Sequence, residues 1–186
     1  MERDEADDGA DLRVVPATLD HWDFLSALFM TSPGVARCWC MWPLHPPRTF
    51  CPDRAANMAA MKTLLRSGEI PGLLAITAER ALGWCAVGPR HQYPQYESRA
   101  EGAAVWAIPC IYIQPAANRR LVARRLIEAA VELATRNAAM AIEGPPPWWL
   151  PGDAAAVDLA AMTFTDNGFT SVGRVARMPE LRRMLA

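Results

Sequence analysis

The chain has 186 residues, of which 52% are hydrophobic, and a formal net charge of −1. That length fits one domain with a sizeable core, and the near-zero charge offers no bulk attraction to nucleic acid or to a membrane surface. The apolar runs are too short to span a bilayer, and five cysteines at irregular spacing argue against a disulfide framework and for a reducing cytoplasm.

Residues 1–11, MERDEADDGAD, are acidic and polar. They read as a disordered, solubilising tail and are the opposite of a secretory signal. Residues 12–186 show no repeat and no linker and read as a single domain. Leu12–Pro16 is a short first strand. Thr18 is positioned as the N-cap of a helix running to about Met30, with Trp22, Leu25, Leu28 and Phe29 on its apolar face. Thr31–Pro52 reads as a long loop rich in proline, tryptophan and cysteine. Asp53 then caps a second helix, Arg54 to about Ser67, which Gly68 ends. Leu73–Thr77 and Ala81–Val87 form a hairpin around Glu79 and Arg80, and Pro89–Gly102 is a polar loop holding Tyr93 and Tyr96.

Val105–Ile113 is apolar, β-branched and aromatic without clean alternation, which fits a buried strand. Pro115 cannot continue a ladder, so Gln114–Ala117 is a turn. A helix starts at Asn118 or Arg119, with a buried stripe at Val122, Leu126, Ala129, Ala130 and Leu133. Ala139–Glu143 is a short strand and Gly144–Gly152 a proline and tryptophan loop. Ala154–Asn167 is a helix ended by Gly168, Phe169–Met178 the last strand, and Pro179–Ala186 a short tail element. The fold class is α+β: a mixed sheet flanked by about four helices, with the long helix crossing between two neighbouring parallel strands.

Four arginines, Arg119, Arg120, Arg124 and Arg125, crowd the first two turns of that long helix. They oppose the helix dipole, which favours negative charge there. A bound polyanion would offset the conflict; the alternative is that Arg124 pairs with Glu128 and the others are solvated. Cys38, Cys40, His45 and Cys51 share one loop, but their spacing is not a common zinc pattern, so no metal is expected. Trp39, Met41, Trp42, Tyr93, Tyr96, Trp148 and Trp149 fall in loops, where they either line an apolar pocket or form a lid on the sheet. Cys110 has no histidine partner in sequence and reads as a small buried apolar residue rather than a nucleophile. His21 and His91 read as ordinary surface residues.

The segments CWCMW (38–42), GWCAVGPR (83–90), VWAIPCIYI (105–113), AAMAIEGPPP (138–147) and MTFTDNGFT (162–170) together resemble a bacterial subgroup of the GNAT superfamily, the acyl-CoA-dependent N-acyltransferases. The resemblance runs from Leu12 to Leu185. It implies a mostly antiparallel central sheet with one splayed parallel pair. The pantetheine arm of acetyl-CoA or coenzyme A would lie in the splay, on the backbone of Cys110, Ile111 and Ile113. The diphosphate would sit on the following turn, where the family's Gln/Arg-x-x-Gly-x-Gly/Ala aligns with Asn118, Arg119, Arg120, Leu121, Val122 and Ala123. Asn118 and Leu121 depart from that pattern.

Direct transfer to a small amine is the implied reaction. Glu143 is the candidate to take the amine's proton or to pair with a cationic substrate; the alternative is a carboxylate holding backbone N–H groups. Trp39, Trp42, Tyr93 and Glu143 would face the acceptor. The family's usual acid is a tyrosine on the helix after Glu143, and Ala154–Asn167 has none; Thr163 and Thr165 carry the nearest hydroxyls. Dimers are common in the superfamily, so a homodimer is an expected option. The competing expectation is a degenerate or repurposed GNAT-like protein without standard acetyl transfer, in a specialised pathway or as an interaction module.

Overall fold

A computed structural model describes residues 11–46, 49–94, 104–144, 162–175 and 178–185. Its centre is a seven-stranded sheet in the order β1-β2-β3-β4-β5-β7-β6. The strands are β1 (Arg13–Pro16), β2 (Gly72–Ile76), β3 (Ala81–Pro89), β4 (Val105–Ile113), β5 (Ala141–Glu143), β6 (Thr170–Val175) and β7 (Met178–Met184). Every pairing is antiparallel except β4 with β5, the two strands joined by the long helix α4 (Arg119–Arg136). The first three helices are α1 (Trp22–Phe29), α2 (Pro33–Cys38) and α3 (Arg54–Arg66), and a helical segment at 162–166 precedes β6. No described helix is long and apolar enough to cross a membrane.

Two bulges explain why the central strands do not alternate in sequence. Ala86 faces Cys110 while Gly88 faces Ala107, so Val87 stands opposite both Ile108 and Pro109. Proline has no amide for the ladder, and an extra residue there flips the side-chain parity. Trp106 and Ile108 pack with α4, and beyond the bulge so do Ile111 and Ile113, while Cys110 and Tyr112 turn to the other face. The second bulge lies where Ala75 faces Gly83 but Ile76 faces Ala81.

The α4 face is closed by Val122, Leu126, Ile127, Ala130 and Ala134. A Cβ on Gly83 would meet Val122 Cγ1 at 2.7 Å and Leu126 Cδ1 at 3.0 Å, so the helix is seated directly on this glycine. The opposite face is aromatic. Phe29 packs edge-on to Trp39 and Trp84 with centroids 5.4 and 5.5 Å away. Gly72 lies under the Trp84 ring, which a Cβ would meet at 2.7 Å.

Asp53 caps α3 as its spacing indicates, accepting from the Ala56 amide at 2.9 Å, and Gly68 follows with φ +81. Three elements differ from the sequence expectation. Thr18 precedes a 3-10 turn, Leu19–His21, and α1 begins only at Trp22. The supposed loop Thr31–Pro52 contains α2, begun by Pro33 in the first helical position, and a 3-10 turn at Trp42–Leu44. Proline suits that first position because its missing amide would be unpaired anyway. Last, Phe169–Met178 is not one closing strand: the chain forms the β6–β7 hairpin, and β7 inserts between β5 and β6. The expected tail element Pro179–Ala186 is thus largely strand β7, and Pro179 does not stop the ladder. It faces Arg174 on β6, and β5 pairs only with Arg182, Arg183 and Met184, so its missing amide interrupts no bond to β5. The acidic residues 1–10, Tyr96, Trp148, Trp149 and the first part of the expected Ala154–Asn167 helix lie outside the described residues.

Candidate functional site

The site begins where β4 and β5 part. They pair over three positions only, Val105 with Ala141, Trp106 with Ile142 and Ala107 with Glu143. Gly144 then donates to Leu181 O at 2.8 Å, which carries the chain towards β7. From the bulge onward, β4 continues through Cys110, Ile111 and Ile113 with no described strand on that side. A main-chain edge of this kind can pair with an extended ligand bearing amide groups.

The same strand feeds the start of α4. Asn118 is the N-cap: its Oδ1 accepts from Leu121 N at 3.2 Å, and its carbonyl accepts from Val122 N at 3.0 Å. The Arg119 and Arg120 amides, two of the unpaired donors that every helix start presents, have no backbone partner among the described residues. A cleft of about 460 Å³ opens here, lined by Asn118, Arg120, Leu121, Arg124, Thr163 and Asp166 among others. Arg120 reaches Asp166 at 3.3 Å, and Arg124 and Arg125 each reach Glu128 at 3.9 Å. The Arg124–Glu128 pair of the alternative reading is therefore present, but Arg120 and Arg125 are paired as well rather than solvated. All these ion pairs are more than 40% exposed, and such pairs are individually weak. They leave the arginines able to take a stronger anion. Leu121 lines the cleft where the family pattern has glycine, and its amide is engaged by Asn118. Ala123 lies half-buried in the second turn.

Glu143 is held differently. It is buried, and its Oε1 accepts from Arg182 at 2.6 Å and from Arg90 at 3.2 Å. Arg90 follows β3 and Arg182 belongs to β7, so one carboxylate on β5 ties together segments from both sides of its strand. The described contacts of this side chain are to guanidinium groups, not to backbone amides. Both fall on Oε1, which leaves Oε2 for a further partner. Sequence reasoning singled out neither arginine. Arg90 ends GWCAVGPR, and its signal was the charge closing an apolar strand; Arg182 carried no signal at all.

The aromatic candidates separate. Trp39 is wholly buried and stacks on Trp22 with centroids 5.4 Å apart, so it belongs to the core of the α1–α3 face. Trp42 is half-buried in its 3-10 turn. Tyr93 is buried and lines a second cleft, of about 280 Å³, with Cys40, Leu44, Met61, Trp84 and Ala86, and with Glu69 among its remaining residues. Burial pushes the Tyr93 phenol far above its usual range, with nearby Cys85, Cys110 and Cys40 adding to the effect.

Three of the thiols, Cys38, Cys85 and Cys110, respond to burial. Burial, and then Cys40, raise Cys38 to about 11. Burial pushes Cys85 and Cys110 up as well, Cys110 with a further contribution from its contact with Cys40. A protonated thiol is a poor nucleophile, and the described side-chain partner of Cys110 is Cys40. Among the described residues no group of three or more His, Cys, Asp or Glu could hold a metal ion.

No family model and no curated protein matches the sequence. Solved structures do. The chain is similar to yncA of Salmonella typhimurium, determined with its cofactor acetyl-CoA, over 95% of each chain at 15% identity and a TM-score of 0.56. It is similar to a GCN5-related N-acetyltransferase from Kribbella flavida, with 18% identity, 94% and 98% coverage and a TM-score of 0.58. It is also similar to the paia N-acetyltransferase of Thermoplasma acidophilum, determined with coenzyme A, with 9% identity, 94% and 99% coverage and a TM-score of 0.57. At such identities the likeness is one of fold, and the fold is that of the GCN5-related N-acetyltransferases.

Proposed function

We propose that this protein is an acyl-CoA-dependent N-acyltransferase, with acetyl-CoA the simplest donor, that transfers the acyl group directly to a small-molecule amine. The observation that carries the reading is the splayed β4–β5 pair running into the arginine-flanked start of α4. The pantetheine arm would pair with the backbone of Cys110, Ile111 and Ile113. The diphosphate would rest on the amides of Arg119 and Arg120, against the Arg120 and Arg124 side chains. Asn118 already occupies the Leu121 and Val122 amides, so anion binding in this chain leans on arginine side chains more than on a glycine-rich turn.

The β4 amide near Ile111 would polarise the thioester carbonyl as charge develops on its oxygen. Glu143, through Oε2, would pair with the incoming ammonium or take its proton, while the two arginines hold Oε1. The acceptor would approach through the cleft that Tyr93 lines; Trp39 backs that wall through the aromatic stack, and Trp42 leads into Leu44. Residues 12–186 would act as one domain behind a solubilising tail of residues 1–11, in the cytoplasm, as a monomer or homodimer. The five unpaired cysteines support a reducing compartment.

Calorimetry with coenzyme A and acetyl-CoA tests the reading. Binding is expected for the wild type, and tighter binding for Leu121→Gly, which removes a side chain from the cleft. No binding of any CoA species by either protein would sink it. One observation favours a competitor, a GNAT-like protein without standard acetyl transfer: Leu121 stands in the cleft and Asp166 holds Arg120 beside it. That competitor is supported if Leu121→Gly also fails to bind.

A further inference from the structure

The thiols of Cys40 and Cys110 take no chemical part in the proposed transfer, yet two separate distortions bring them together. Trp39 and Cys40 both have left-handed backbones, with φ of 49° and 50°, a region that non-glycine residues rarely occupy. The β4 bulge supplies the other half. Trp106 and Ile108 pack with α4, so without the extra residue Cys110 would face α4 too; with it, Cys110 faces the α1–α3 side. The result is two buried thiols whose Sγ atoms lie 2.8 Å apart across 70 residues of chain. A disulfide bond is about 2.05 Å long, so small torsions of the two side chains would close the distance.

We propose that Cys40 and Cys110 are a redox-active pair that takes a two-electron oxidant of the peroxide class and closes to a disulfide. Cys40 lines the 280 Å³ cleft and Cys110 does not, so the oxidant meets Cys40 first. The Cys40 sulfur attacks one peroxide oxygen, the O–O bond breaks, and a sulfenic acid and one water form. The Cys110 sulfur then displaces the hydroxyl from Cys40. The S–S bond forms, the S–O bond breaks, and the Cys110 proton leaves with the hydroxyl as a second water. Two thiols lose two electrons, and the peroxide gains them. Burial keeps Cys110 protonated, which suits the second, resolving role and makes closure slow. The cross-link would tie the segment after α2 to β4 at its bulge.

The test exposes the reduced full-length protein to hydrogen peroxide, caps the remaining thiols, digests the chain and weighs the peptides. The Cys40 and Cys110 peptides should be joined, two hydrogens lighter than their sum, and be separated again by a dithiol reductant. Oxidation should also raise Tm by several degrees in the wild type and in Cys38→Ser and Cys51→Ser, and leave Tm unchanged in Cys40→Ser. Recovery of Cys40 and Cys110 as separately capped thiols, or of Cys40 joined to Cys38 or Cys51, overturns the proposal. The mass measurement is made on the wild type, so it does not depend on any variant folding.

Discussion

Two arginine clusters stand among the described residues, and they do opposite work. At the start of α4, Arg120 and Arg124 are more than half exposed and hold carboxylates at 3.3 and 3.9 Å. At the end of β5, Arg90 and Arg182 are 7% and 15% exposed and hold Glu143 at 3.2 and 2.6 Å. Exposed pairs are screened by water and are easily exchanged for another anion. A buried cluster is committed, because removing one partner strands charge in a poorly solvated place. An arginine free to meet a ligand is therefore recognised by its weak present partners and not by its charge alone.

The largest effect should come from Glu143→Ala, which removes the buried carboxylate that two guanidinium groups share. A loss of about 3–5 kcal/mol in urea unfolding is expected; a loss under 1 kcal/mol would show that the buried cluster is no more committed than the exposed one. Next is Gly83→Ala. Its Cβ would press on Val122 and Leu126, shifting the helix that presents the exposed cluster, at a cost of about 1–3 kcal/mol. Alkaline titration tests the clusters from another side. Arginine side chains stay charged throughout, while the folded Cys38 thiol is raised from 9.0 to about 11. The unfolded chain gives up that proton first, so stability should be fully present below pH 9 and fall as pH rises towards 11. Cys38→Ser should make the fall of Tm across that range shallower, while Cys85 and Cys110, also raised by burial, keep the remainder. The smallest effect on stability belongs to Arg120→Ala, within about 0.5 kcal/mol. The same change should weaken coenzyme A binding roughly tenfold. Unchanged binding would mean that the exposed arginines are merely solvated.

Legibility followed the range of the interactions. The Asp53 cap, the Gly68 stop, the β2–β3 hairpin and the Asn118 helix start rest on contacts between residues a few positions apart, and all were readable from neighbouring letters. The α2 helix was obscured because proline was weighed as a loop residue rather than as a first helical residue. Glu143 was readable as a residue of interest but not as a knot, since its partners lie 53 and 39 residues away. The aromatic residues of the loops were visible as a group, but nothing local separates Trp39, buried in a stack, from Tyr93, lining a cleft.

The sequence by itself determined the periodicities, caps and turns, the parallel crossover through α4 and the concentration of charge at that helix start. These depend on backbone geometry and on pairs one helical turn or one hairpin apart. Only the tertiary structure decided which arginines are buried, where β7 enters the sheet, and that Cys110 faces Cys40. Each of those outcomes is set by strand register and by one extra residue in a bulge, and a single-residue shift exchanges the faces of a strand without altering its composition.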